Sequence, residues 1–243
     1  MKRIIRGIFI SIKNIFLKRA EVYDFNKSNP LGGDGERVDI QLQKTFNFEI
    51  LDIYQKNHFR RYEFAKEIVA YGDVCGDFAC GTGYGSVLIS DKASKVVGAD
   101  LDKEVITIIK ERYKDKENVS FLNENLLNLK FENLFDTIIS FETLEHFIEE
   151  DIISLLNIFA KSLKENGKII FSTPYMQDKS EDAIKLGFHL TFYINENKIN
   201  DWLTKTGFEI QNVYYQNYYT HIIKKELEKK EFIICVARKT SND

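Results

Sequence analysis

The 243-residue chain has little cysteine, little proline and no long apolar run. Its three cysteines, Cys75, Cys80 and Cys235, are odd in number and not spaced as a zinc knuckle. A disulfide framework is therefore set aside, and the thiols are expected to be reduced packing residues of a cytoplasmic protein. One of the two prolines falls in NKSNPLGGDGERVD (26–39), among glycines, asparagines and aspartates that mark a loop. An excess of positive charge is also lacking. The net charge is −3 and the sequence pI about 5.9, so no nucleic-acid partner is expected. No internal repeat or low-complexity tract interrupts the chain.

Positive charge is instead concentrated at one end. Residues 1–20, MKRIIRGIFISIKNIFLKRA, hold six bases and no acid, leaving 28 basic and 37 acidic residues for the remainder. Arg6 and Lys13 cut the apolar stretch to GIFISI. That is shorter than the roughly 7–15 residues of a secretory signal core and far below the roughly 20 of a spanning helix. What remains is amphipathic. Ile5, Ile8, Phe9, Ile12, Ile15 and Phe16 share a helical face, with Lys2, Arg3, Arg6 and Lys13 opposite. Such a helix suits peripheral contact with an anionic membrane surface, here the inner face, or packing on protein; both readings stand.

The rest divides into a helical and loop cap (21–57) and a domain over 58–243, large enough for a substantial core. A helical pattern covers 40–70. Short apolar strands follow at 73–78, 95–99, 118–122, 135–141 and 168–173, with helical stretches at 102–115 and 149–164 between them. A further helix at 195–206 ends at Gly207, and strands near 208–215 and 231–238 complete the chain. Strands alternating with helices predict an α/β, Rossmann-like, seven-stranded and mostly parallel sheet covered on both faces.

The first strand runs into DFACGTGYGS (77–86) and then a helix. Gly81, Gly83 and Gly85 let the backbone turn sharply and let a ligand approach bare main chain. The second strand ends on Asp100, placed to accept hydrogen bonds from both hydroxyls of a ribose. A dinucleotide fold asks for G-x-G-x-x-G, but Ser86 stands where its third glycine belongs.

The stretch instead resembles the first motif of class I S-adenosylmethionine-dependent methyltransferases, with Asp77-Phe-Ala-Cys-Gly81-Thr-Gly83 fitting without a gap. The resemblance extends over about 58–215. It implies S-adenosyl-L-methionine as cofactor, Asp100 on the ribose, Leu101 beside the adenine, and Asn125 where the family usually has an acid on the adenine amino group. It also places Ala79, Tyr84, Leu126 and Ser140 along the cofactor. Its best local match is to bacterial methyltransferases of cell-surface glycan pathways, which share an H-x-x-R-Y-x-F-A helix, here carrying His58, Arg61 and Tyr62. Tyr62 is then expected near the methionine end of the cofactor.

FETLEHF (141–147) follows the fourth strand. On a helix, its Glu142, Glu145 and His146 would share one face. Of only four histidines, His189 lies in the segment that covers the acceptor site in this fold. Three readings stand. Glu142, Glu145, His146 and His189 hold a divalent cation (Mg, Mn, Fe or Zn), as in the metal-dependent O-methyltransferases that the E-x-x-E-H pattern resembles. His146 or His189 acts without metal as general base, with Glu142 beside it. Or the glutamates merely favour a helix first turn. Either of the first two suits a hydroxyl acceptor, a sugar of a nucleotide- or lipid-linked glycan or else a quinone precursor. A nicotinamide-dependent oxidoreductase and a non-catalytic binding subunit remain as other classes. Oligomeric state is not legible.

Overall fold

The computed structural model describes residues 31, 37–42, 46–187 and 189–240. The basic amphipathic helix expected over 1–20 lies outside them. Helix α1 spans Ile53–Ile68 and begins at a capping box, Asp52 accepting from the Gln55 N–H while the Gln55 side chain accepts from the Asp52 N–H. Among the described residues, the helical pattern expected over 40–70 is confined to its second half, with one 3₁₀ turn, Phe48–Ile50, before it.

Strand β1 (Val74–Phe78) follows, then α2 (Tyr84–Ile89), β2 (Lys95–Asp100), α3 (Lys103–Arg112), β3 (Val119–Asn123) and β4 (Phe135–Phe141). Helix α4 (Glu149–Ser162), β5 (Leu163–Pro174), α5 (Glu181–Leu186), α6 (Glu196–Lys205), β6 (Phe208–Gln216), β7 (Ile223–Lys224) and β8 (Phe232–Lys239) complete it. The sheet order is β3-β2-β1-β4-β5-β8-β6-β7. Strands β1 to β5 pair in parallel, and β8 inserts antiparallel between β5 and β6. The sheet therefore has eight strands where seven are expected. The extra one is a two-residue rung, pairing Tyr215 with Lys224 and Gln216 with Ile223, too short to leave a periodic signal.

The central strands read as unbroken apolar runs because both faces are covered. Successive residues go to opposite sides. Ile138, Ile169 and Ile233 join one core cluster, and Ile139, Ile170 and Ile234 the other. Strand order reverses between β1 and β4, so a crevice opens beyond their carboxyl ends, where ligands bind in open sheets of this kind.

One excursion covers that end of the sheet. After β5 the chain leaves as an arm and returns to α6. Its base is pinned by Met176 N–H to Ile194 O (2.8 Å) and Tyr193 N–H to Gln177 O (3.0 Å). Both Met176 and Tyr193 sit at left-handed φ, 52° and 53°.

Candidate active site

The turn after β1 is made by three left-handed residues, Ala79 (φ 63°), Gly81 (φ 51°) and Gly83 (φ 74°). At Gly83 a Cβ would meet the Phe121 ring at 2.7 Å, so packing alone demands glycine there. At Gly81 a Cβ would meet nothing within 4 Å. That open space beside bare backbone is a cradle. Its far wall is Asp100, whose Oδ2 accepts from the Gly81 N–H (2.9 Å) and whose Oδ1 accepts from the Asp102 N–H (3.0 Å). Two main-chain donors thus orient the carboxylate at the end of β2, and its outer lone pairs suit a diol. Leu101 beside it is 70% exposed, an apolar surface at the mouth of the cleft. A ribose-bearing nucleoside with a flat base fits this set.

Other expected cofactor residues are placed less directly. The Asp77 carboxylate faces inward, accepting from Tyr62 Oη (3.0 Å) and Ser86 Oγ (2.5 Å). Burial pushes its pKa up to about 6 even though those two bonds pull it down. Tyr62 is itself buried, locked between Asp77 and the backbone of Gly85, where a Cβ would fall 2.1 Å from its ring. Tyr84 is buried with a hydroxyl that has no hydrogen-bond partner among the described residues. Asn125 caps a 3₁₀ turn by accepting from the Leu127 N–H, Leu126 is a core residue, and Ser140 is buried and donates to Phe78 O (2.9 Å).

FETLEHF is not the helical face that its spacing suggests. Leu144–His146 is a single 3₁₀ turn and α4 starts only at Glu149. Glu142 precedes the turn at φ 50° and is not among the side chains that converge there. Its Oε1 lies 3.1 Å from Arg61 Nη1 and accepts from Ser172 Oγ (2.6 Å). Arg61 is 1% exposed; its Nε donates to Gln216 Oε1 (2.7 Å) and its guanidinium lies over the Phe232 ring at 4.3 Å. Glu142 is therefore committed to a buried cation.

The other three expected ligands do converge. One ligand atom each from Glu145, His146 and His189 lie within 4.8 Å of one another. Glu145 is 1% exposed, and neither of its carboxylate oxygens has a hydrogen-bond partner among the described residues. Burial first, and the Glu142 charge second, hold its pKa well above the usual carboxylate range. His189 arrives on the arm, its ring 5.0 Å from that of His146 and its Nδ1 donating to Gln177 Oε1 (2.5 Å). Burial and the neighbouring His146 lower its pKa to about 4. The arm is docked by main chain: the Leu190 and Thr191 N–H groups both donate to Glu145 O (2.7 and 3.1 Å).

Residues 76–167 match the family model described as a methyltransferase domain. The chain carries a methyltransferase domain. A probable S-adenosylmethionine-dependent methyltransferase of Mycolicibacterium smegmatis is 28% identical over 75% of this chain and 71% of its own. One of Mycobacterium tuberculosis is 26% identical over 62% of this chain but only 55% of its own length. Among solved structures, an S-adenosylmethionine-dependent methyltransferase of Mesorhizobium loti superposes with a TM-score of 0.61 at 16% identity, covering 79% of this chain and 100% of that one. The cyclase SpnF superposes about as well, with a TM-score of 0.60 at 15% identity over 76% of this chain and 81% of its own, so likeness at this level conveys fold alone. The matched domain and the sequence relatives support an S-adenosylmethionine-dependent methyltransferase, and the solved structures support its fold.

In this methyltransferase the spacing does not disclose Arg61 as a buried charge, Ser172 as the donor to Glu142 or Gln177 as the residue that orients His189. A buried arginine leaves no mark in spacing. Gln177 had a weak one, standing at the start of a polar excursion after β5. Among the described residues no helix is long and apolar enough to cross a membrane.

Proposed function

We propose that this methyltransferase methylates a hydroxyl of a small-molecule acceptor, with Glu145, His146 and His189 holding a divalent cation beside it. The observation that carries this reading is convergence: one ligand atom each from buried Glu145 and from two imidazoles, His146 and His189, lie within 4.8 Å of one another. Burial holds the Glu145 carboxyl toward its neutral form, and a cation seated between it and the two imidazoles would favour the charged form instead. One carboxylate and two imidazoles make a three-ligand set of the kind that leaves positions open for an oxygen of the substrate. The Gln177 bond fixes the His189 tautomer so that Nε2 is the free nitrogen, the orientation a ligating histidine needs. A histidine with a pKa near 4 is neutral at pH 7 and so ready to ligate, but it is a weak base for a hydroxyl proton. His189 thus suits a ligand better than a base.

Bound S-adenosylmethionine supplies an electrophilic methyl group on a sulfonium centre. The chain's own residues do the rest: Gly81 and Asp100 hold the nucleoside, Leu101 offers an apolar surface to its base, and Glu145, His146 and His189 would hold a cation that lowers the cost of a deprotonated acceptor oxygen. We take the acceptor to be a sugar of a nucleotide- or lipid-linked glycan, on the resemblance of the helix carrying His58, Arg61 and Tyr62; a quinone-type phenol is the other hydroxyl that suits a metal-assisted site.

Transfer of labelled methyl from S-adenosylmethionine to a panel of sugar nucleotides and catechols tests the acceptor class. Calorimetry with Mn²⁺ and Zn²⁺ tests the cation: binding near one per chain, lost in His189→Ala, is expected. Full transfer in excess EDTA together with no measurable cation binding would reject the metal and leave the histidines as bases.

A further inference from the structure

The hydrogen bond from Gly81 to Asp100 closes the cofactor cradle, and both of its halves are gripped from outside by adjacent residues of one extended segment. Arg37 Nη2 donates to Asp102 Oδ2 (2.6 Å). Asp102 in turn gives its N–H to Asp100 Oδ1 (3.0 Å) and caps α3 by accepting from Glu104 and Val105. The next residue, Val38, accepts through its carbonyl from Thr82 Oγ1 (2.9 Å), and buried Thr82 stands between Gly81 and Gly83. One segment thus touches the acid's neighbour and the glycine loop in consecutive residues.

The segment is itself anchored in two directions. Asp39, 1% exposed, takes both guanidinium nitrogens of Arg112 (2.6 and 3.2 Å) at the end of α3. Its carbonyl accepts from Gln55 Nε2 of α1 (2.7 Å), and Ile40 is buried in the core cluster under α1 and α2. A bidentate pair fixes orientation as well as distance. Residues 37–40 lie outside the 76–167 region that the domain model matches, so nothing in that match assigns them a role.

We propose that residues 37–40 are a positioning strap of the cofactor site, with Arg37 and the Val38 carbonyl setting the separation between Asp100 and the glycine loop. A nucleoside bound across that separation needs both walls in place. Pre-setting them removes ordering that binding would otherwise have to supply. Arg37 and Val38 act through Asp102 and Thr82, and no contact of their own with the ligand is required.

Calorimetric titration of S-adenosylhomocysteine into the full chain tests the strap without needing an acceptor. Arg37→Ala and Thr82→Val are each expected to weaken binding about tenfold, the effect of roughly one charged or well-placed hydrogen bond. Arg37→Lys should restore most of the affinity, and the melting temperature of the ligand-free protein should stay close to that of the unaltered chain. In hydrogen–deuterium exchange, 37–40 and 79–86 should gain protection together when the nucleoside is added. Affinity preserved in both variants, or protection confined to 79–86, overturns the strap alone. Absence of binding by the unaltered chain removes the cofactor site and the strap with it.

Discussion

Arg61 and Glu142 face each other at 3.1 Å in the interior, where the ends of β4, β5, β6 and β8 meet the first helix. This pairing separates Glu142 from the Glu145 cluster, and the two glutamates should fail differently. Glu142→Gln leaves a buried guanidinium facing a neutral group and is expected to cost about 3 kcal/mol of stability. It should leave cation binding intact. Glu145→Gln should abolish cation binding and, by neutralising a carboxylate that burial disfavours, leave the urea midpoint unchanged or higher. Equal loss of cation in both variants would return Glu142 to the ligand set.

Gly85→Ala places a Cβ 2.1 Å from the Tyr62 ring, which cannot move without releasing Asp77. Overpacking of this sort costs about 1–3 kcal/mol, and a lowered melting temperature is expected. Gly81→Ala meets no atom within 4 Å, but the added methyl projects into the cradle at φ 51°. Its effect should fall mainly on the affinity for S-adenosylhomocysteine. A Gly81 variant that binds normally while melting early would argue that the space is not the ligand's.

The Asp77 carboxyl gives a pH signature. Its pKa is held at about 6 in the folded chain, with burial the main cause, against 3.8 for the ordinary group. A carboxyl raised on folding favours the native state most when protonated. Its contribution is fully present below about pH 4 and is lost as pH rises through 6, a change of about 3 kcal/mol. The stability of the unaltered chain minus that of Asp77→Asn should therefore decline between pH 4 and 7. Urea titrations at several pH values measure it; a flat difference would mean that Asp77 is not strained toward protonation.

Gln177 fixes His189 without touching the other cluster members. Removing such a partner typically weakens metal affinity about 10–100-fold. Gln177→Ala should show that loss for Mn²⁺ while the affinity for S-adenosylhomocysteine is unchanged, since the arm and the cradle are separate constructions. Unaltered Mn²⁺ affinity would assign the Gln177 contact to packing.

The cofactor half was far more legible in the sequence than the acceptor half. Buried parallel strands are long apolar runs, and a glycine loop followed by an acid after the next strand carries its geometry in its spacing, so the placement of Gly81 after β1 and of Asp100 at the end of β2 is legible. FETLEHF misleads because spacing presumes a helix. The left-handed φ of Glu142 and the 3₁₀ turn after it are backbone facts that composition does not record. Residues 37–39 read only as the end of a loop, because Asp39 finds Arg112 once the chain is folded. The two-residue β7 is simply too brief to announce itself.

The arm that delivers His189 is docked by two amides on one carbonyl of Glu145, by the Thr191 hydroxyl on Phe147 O and by Ile194 in the core, and its base is closed by two peptide rungs between 176–177 and 193–194. Attachment of this kind leaves the exposed side chains of the arm, among them Asp178 and Lys179, free to vary. The segment can therefore behave as an exchangeable cassette, diverging in whatever substrate it covers while the methyl-donor pocket beneath it stays the same. Relatives with a common donor and different acceptors are the natural product of such a joint, and grafting this cassette between them is the direct way to move selectivity from one to another.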